Sequence, residues 1–247
     1  MCILITFVVL QSEMFEPENI LKFADYLYCQ KDYNAAVNEY RRYLFLTDSV
    51  PEDIPEKIID CLVKLKRFAE AINESARLKD ITKRDYTKGF VYFLAERYDS
   101  SRNYLSRVGI PYKESVKRLI GLGYSYEFRF AEAGKYIDLP RPPPSYKKPA
   151  LGGLFSIFPG GGHFYCGRIG DGLFSFLVVS ASAFLSYYYY DRDEDIKFGI
   201  SLGAAILFYA GNVYGGINAV RNYNYYENEK YLREIEANIA NEIELGE

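Results

Sequence analysis

The chain has 247 residues, enough for one large domain or two modest ones. A net charge of -3, with no RNP, zinc-finger or basic-helix pattern, excludes a general nucleic-acid binder. Four cysteines without C-x-x-C spacing and a single histidine leave no set of metal ligands, so Cys29 and Cys61 read as small buried fillers. No catalytic or cofactor-binding constellation emerges either, and carboxylates such as Glu74 and Asp80 read as surface charges.

In chain order, residues 2–10 form a nearly apolar run broken only by Thr6. That length suits the core of a signal peptide and is too short to span a bilayer. No Lys or Arg precedes it and no clear small-x-small cleavage site follows, so a plain apolar N-terminus is the rival of a signal peptide over residues 1–16.

Residues 17–138 repeat. KDYNAAVNEY (31–40) is similar to KRFAEAINES (66–75), thirty-five residues later. Four copies share a skeleton of a small residue, a large one three later, an aromatic six further on and a small residue three beyond that. The copies read Ala24, Leu27, Tyr33, Ala36; then Ile59, Leu62, Phe68, Ala71; then Gly89, Tyr92, Tyr98, Ser101; and finally Gly121, Tyr124, Phe130, Ala133. Two antiparallel helices of about a dozen residues, joined by a tight turn, approach closely only where side chains are small. The small positions therefore mark the crossings, and the large ones fill the space beside them.

These residues resemble the tetratricopeptide repeat family. Its small-x-x-Tyr pattern stands at Gly89 to Tyr92 and Gly121 to Tyr124, and its Ala-x-x-x-aromatic pattern at Ala36 to Tyr40. Copy two lacks the small residue of the first helix, and copy three carries Ser101 for alanine. The resemblance implies a stacked solenoid whose concave face binds a protein or peptide.

Five prolines between residues 137 and 149 cannot continue a helix and favour stiff, extended backbone, so residues 139–149 form a linker. Beyond it, residues 172–190 and 198–220 carry no charge; as helices they span about 28 Å and about 34 Å. Each is long enough to cross a bilayer, the acidic DRDED (191–195) separates them, and tyrosines crowd their ends as in an aromatic belt. The rival is a buried hairpin in a soluble protein. Small residues recur at Ser180, Ser182 and Ser186 and at Gly199, Gly203, Gly211 and Gly215; Gly211-x-x-x-Gly215 permits close helix approach, within the chain or between copies. Asn212 and Asn218 are costly against lipid, so both are expected to face the protein interior and hydrogen-bond between helices. From residue 221 the tail is charged, with Tyr231, Leu232, Ile235, Ile239 and Ile243 at helical spacing.

FPGGGHFYCGRIGDG (158–172) holds six of the nineteen glycines and the only histidine. It lacks a P-loop lysine and has no strand before it for a dinucleotide fingerprint, and His163 has no nucleophile beside it in sequence. A mechanical role remains: Pro159 to Gly162 break the apolar helix begun at Ala150, and glycines let backbone bend and neighbours approach. Tyr165, Arg168 and Asp171 would anchor the far end at headgroups.

Gly160, Gly162, His163, Phe164, Tyr165, Gly167, Arg168 and Gly172 resemble the glycine, His-x-Phe-Tyr, glycine-basic pattern of the TM2 domain, without the residue between His and Phe. Residues 156–162, Tyr165, Arg168 and Gly172, with Gly211, Asn212, Tyr214, Gly215 and Asn218, are also similar to a group of bacterial tetratricopeptide-repeat membrane proteins, His163 standing where that group has glutamine.

The expected fold is all-α: a tetratricopeptide-like helical solenoid, then a membrane hairpin over 150–220 with two spans, or three if 150–166 also crosses, then an amphipathic helix over 221–247. Two spans place both flanks, with Lys147, Lys148, Arg168 and Arg221, on the cytoplasmic side; three spans allow periplasmic repeats. The family resemblance and the N-terminal run favour the inner membrane of a bacterium with periplasmic repeats. The expected function is a non-enzymatic scaffold in envelope assembly or protein export, its rival an insertion factor whose hairpin is the active part.

Overall fold

The structure, a computed structural model, describes residues 16–47 and 51–245; the apolar N-terminal run and its signal-peptide reading lie outside the described residues. Among the described residues there are twelve α-helices and no strand. The chain divides into two compact units, Met1–Leu139 and Pro140–Glu247.

Unit 1 contains α1 (Pro17–Cys29), α2 (Tyr33–Leu46), α3 (Asp53–Lys64), α4 (Phe68–Glu74), α5 (Ile81–Leu94), α6 (Tyr98–Leu105), α7 (Lys113–Tyr126) and α8 (Phe130–Ala133), each packed on the next. Pro17 stands in the first turn of α1, where its missing N–H costs nothing, and the Asp80 carboxylate caps α5 by accepting from the Thr82 and Lys83 N–H groups.

The turns from α1 to α2, α3 to α4, α5 to α6 and α7 to α8 share one construction. Each holds a non-glycine residue in the left-handed region, at Lys31, Lys66, Glu96 and Phe128, 35, 30 and 32 residues apart. The next N–H reaches back five residues: Asp32 to the Leu27 carbonyl, Arg67 to Leu62, Arg97 to Tyr92 and Arg129 to Tyr124. This is the Schellman arrangement, which satisfies carbonyls that a helix end leaves free. Its acceptors are the large residues of the sequence skeleton, so the repeat places the turn as well as the packing.

The small positions mark the close crossings. Ala24, Ala36 and Ala71 are wholly buried, and a Cβ on Gly89 would lie 2.6 Å from the Leu105 side chain. Ser101, which replaces alanine in the third copy, spends its hydroxyl on the Gly89 carbonyl at 2.8 Å. A Cβ on Gly121 would meet Ile137 at 2.6 Å. The second helices of the four pairs have fourteen, seven, eight and four residues.

Two sequence expectations fail here. Cys29, the last residue of α1, is exposed, whereas Cys61 is wholly buried and its thiol is pushed up to about 11 by burial. Glu74 is buried against Arg77 at 2.8 Å rather than solvated, because the chain tightens into a 3-10 turn directly after α4.

Unit 2 contains α9 (Pro149–Phe155), α10 (Gly161–Tyr165), α11 (Ile169–Tyr190) and α12 (Asp195–Leu245). α12 passes residue 220 unbroken, so the change from apolar span to charged tail is one of composition and not of secondary structure. The proline-rich segment is not a free hinge within this unit. Arg141 makes a two-pronged ion pair with Glu234, at 2.6 and 3.3 Å, and its backbone carbonyl accepts from the Tyr231 hydroxyl. Tyr146 donates to Asn228, and Asn224 bonds both backbone groups of Lys147, at 2.9 and 2.8 Å. Proline backbone has few donors of its own, so side chains of α12 hold the strap in place.

Candidate functional site

The glycine-rich segment and α12 form one constellation. α9 lies along α12 with Gly152 against Gly216 and Val220, the chain turns at Phe158 to Gly160, and α10 runs back to place Tyr165 and Cys166 beside Ala219, Val220 and Tyr223. Gly160 turns the chain at φ +82°, and a Cβ there would lie 2.2 Å from the Gly172 carbonyl. Glycine is needed at that position on both counts.

The crossing is built from three glycines and a serine. A Cβ on Gly216 would lie 1.9 Å from Ser156 Oγ, and one on Gly162 would lie 2.6 Å from the Gly216 Cα. Ser156 is wholly buried and donates its hydroxyl to the Gly152 carbonyl at 2.8 Å. Backbone therefore packs on backbone, with only the Ser156 side chain set into the crossing.

Breaking a helix frees backbone polar groups that must be paired when buried. Asn212, 3% exposed, does this with both ends of its amide: Nδ2 donates to the Ser156 carbonyl at 2.7 Å, and Oδ1 accepts from the Gly160 N–H at 2.7 Å. Tyr209, one turn earlier, donates to the Ile157 carbonyl at 3.1 Å. At the open end of the hairpin, Lys147 donates to the Tyr165 carbonyl at 2.6 Å with its ammonium 4.1 Å from the centre of the Tyr223 ring.

Of the residues singled out from sequence, the site gathers Pro159, Gly160, Gly162, His163, Tyr165, Gly172, Asn212 and Gly215. His163 lies against Gly215, its Nδ1 buried without a hydrogen-bond partner. Gly167 makes a second turn at positive φ, and Arg168 pairs with Asp171 at 2.6 Å on the surface. Gly211 and Tyr214 stand apart: a Cβ on Gly211 would meet nothing within 4 Å, and Tyr214 is exposed. Asn218 is half-buried and takes no part in the clamp. Sequence reading missed Gly152, Tyr209 and Gly216. The signal was present in the paired glycines at 152–153 and 215–216, and in the four-residue step from Asn212 to Gly216, which puts both on one face of α12.

Other hollows occur among the described residues, of which two are larger than a few water molecules. A groove of about 180 Å³ between α3 and α5 is lined by Glu56, Ile59, Asp60, Lys83, Thr87 and Phe90. Its charges are internally paired, Lys83 with Glu56 and, alongside, Lys64 with Asp60 at 2.6 Å. A second, of about 190 Å³, lies between α11 and α12 and is lined by Phe174, Val178, Leu207, Phe208 and Gly211. No group of three His, Cys, Asp or Glu side chains placed to hold a metal occurs among the described residues. The arrangement at α9 to α12 secures backbone rather than presenting reactive groups.

No protein-family model matches the chain, and no curated protein matches it either. α11 and α12 are long and apolar enough to cross a membrane, and only 17% and 11% of their most apolar stretches are buried. Helices of a soluble core bury such stretches.

Proposed function

We propose that the chain is a membrane-anchored scaffold. Unit 1 acts as a tetratricopeptide-type solenoid that receives a protein or peptide in the groove of α3 and α5, and unit 2 is its anchor. The observation that carries this reading is the combination, in one chain, of a four-fold repeated helix turn with two long helices whose apolar side chains point outward. Envelope assembly or protein export in a bacterium rests on the resemblance of the glycine-rich segment alone.

The doubling back of α9 and α10 along α12 supports two crossings rather than three. The linker and the tail, bound to each other through Arg141, Tyr146 and Lys147, then share one side of the membrane. That side carries Lys147, Lys148, Arg168 and Arg221, and the acidic 191–195 turn lies on the other. The bias of Lys and Arg favours the cytoplasm for the linker and the repeats joined to it, in place of the periplasmic expectation.

Labelling with a membrane-impermeant thiol reagent tests the topology, with Cys2, Cys29, Cys61 and Cys166 replaced by alanine and single cysteines placed at Tyr146 or Ile196. The two sites should label from opposite sides; labelling from the same side would restore the third crossing. For the scaffold role, a photocrosslinker at Phe90 should give a discrete adduct in native membranes that one at Phe45, exposed on α2, does not. Equal or absent adducts would overturn it. A second reading, in which the hairpin is the active part, has the α11–α12 groove in its favour. Gly211→Leu, which fills that groove, should abolish function under this reading and spare it under the first.

A further inference from the structure

The helical hairpin gives unit 2 unequal width along α12. Its open end lies level with Tyr223 and Asn224, and its tip lies level with Tyr209 and Asn212. At 1.5 Å per residue the tip is about 17–21 Å deep from Tyr223. From the far end of the hairpin, where Tyr190 meets Phe198, the same tip lies about 17–21 Å away. In the half nearer Tyr223, then, α9 and α10, seven and five residues long, lie beside α11 and α12 over about 8–11 Å; in the other half there are only α11 and α12.

The outward side chains of the wide half are apolar: Leu154, Ile157, Phe158 and Ile169 are each more than half exposed. Basic and aromatic side chains ring its open end at Lys147, Lys148, Arg168, Arg221 and Tyr223, and Tyr187, Tyr190 and Arg192 stand at the opposite end. The wide half is also stiff. Backbone packs on backbone at Gly152, Gly162 and Gly216, and Asn212 ties the tip, so the crossing of α9 and α10 on α12 resists lateral pressure.

We propose that unit 2 is a rigid wedge in one leaflet of the bilayer, the leaflet on the side of the linker and tail, and that it couples the protein to membranes curved toward that side. This rests on the reading that α11 and α12 cross a membrane. Its partner is the acyl layer of a single leaflet. With helices about 10 Å wide, that leaflet accommodates roughly twice the protein cross-section of the other. A convex leaflet has room for the excess, whereas a flat one must be compressed around it.

The test uses the full-length protein reconstituted into vesicles of phosphatidylcholine and phosphatidylglycerol of mixed diameter. Protein per lipid area, measured vesicle by vesicle, should rise about twofold or more from the largest to the smallest vesicles, with the tail facing outward in the smallest. Ile157→Ser with Phe158→Ser changes only exposed tip residues and should weaken the enrichment. Density independent of diameter, or tails facing inward in the smallest vesicles, overturns the proposal. A second measurement separates this from failure of the membrane reading. The chain has no tryptophan, so Phe158→Trp supplies a single probe. Deep-brominated lipids should quench it more than shallow ones; quenching by neither removes the membrane reading itself, and deep quenching with flat density removes the wedge alone.

Discussion

In unit 1 the side chains shielded from the surroundings are Tyr40, Ile58, Leu62 and Val91, while ion pairs such as Lys57 with Asp25 and Arg41 with Glu70 sit at the surface. In the apolar stretches of unit 2, Ser186, Ser201 and Asn212 are shielded and Phe174, Ile200 and Leu207 point outward, whereas toward its tail Val220, Tyr231 and Ile235 are shielded. Under the membrane reading proposed for unit 2, the same principle yields both patterns, because the solvent differs. Against water, apolar burial drives packing. Against hydrocarbon it supplies nothing between helices, and close backbone packing and buried hydrogen bonds take over. Small residues serve both units, beside large apolar neighbours in unit 1 and against other glycines in unit 2.

The largest expected effect breaks this comparison at its tightest point. Gly216→Val drives a side chain into Ser156 and the Gly162 backbone, and should cost unit 2 about 3 kcal/mol or more, read as thermal unfolding of the full chain in detergent. Gly211→Ala, five residues earlier on the same helix, meets open space and should be neutral or stabilising by up to about 1 kcal/mol. Equal effects at the two glycines would remove the crossing.

Next in size is the amide clamp. Asn212→Leu leaves the Ser156 carbonyl and the Gly160 N–H buried without partners, a loss of about 2–3 kcal/mol in the same measurement. Asn218→Leu should cost well under that. In unit 1 the repeated turn is probed at Lys66, where φ is +57°. Lys66→Val should destabilise by about 1 kcal/mol and Lys66→Gly should not, because only glycine adopts that backbone freely. No difference between the two would deny the turn its role.

The smallest effect is a pH dependence. Burial alone would raise the Asp25 carboxyl, but hydrogen bonds from Lys57, at 2.8 Å, and from the buried Tyr40, at 2.6 Å, outweigh it and hold Asp25 below its ordinary value of 3.8. A lowered carboxylate contributes stability above its unfolded pKa, and that contribution is lost as pH falls through the folded value. Partial exposure limits it to less than about 1 kcal/mol. Asp25→Asn should flatten this part of the acid-unfolding curve without moving the remainder; an unchanged curve would make the pair energetically silent.

Much of the molecule is legible in the order of residues. The skeleton from Ala24 to Ala133 marks helix crossings because the need for a small side chain at a close approach is local and recurs with the repeat. Asn212 could be assigned an interior role because an amide against hydrocarbon must find partners. The break in the glycine-rich segment could be placed because Pro159 and the glycines after it do not continue a helix. The Gly211-x-x-x-Gly215 motif points to Gly215, whereas the packing glycine is its neighbour, Gly216. One residue is about 100° around a helix, and nothing in a single helix says which way it turns toward a neighbour that the chain supplies from sixty residues earlier.

Sequence by itself determined what each segment can do: residues 17–138 form paired helices, residues 172–190 and 198–220 are able to span a bilayer, and prolines keep the expected linker, 139–149, out of a helix up to Pro149, which begins α9. Periodicity, propensity and length are properties of neighbours along the chain. Only the tertiary structure decided that α9 and α10 double back beside α12, that Asn212 closes the break in their backbone, and that the linker is strapped to the tail through Arg141 and Lys147. Those choices join residues from 52 to 93 positions apart, and their energies exist only once packing has brought the partners within a few ångströms.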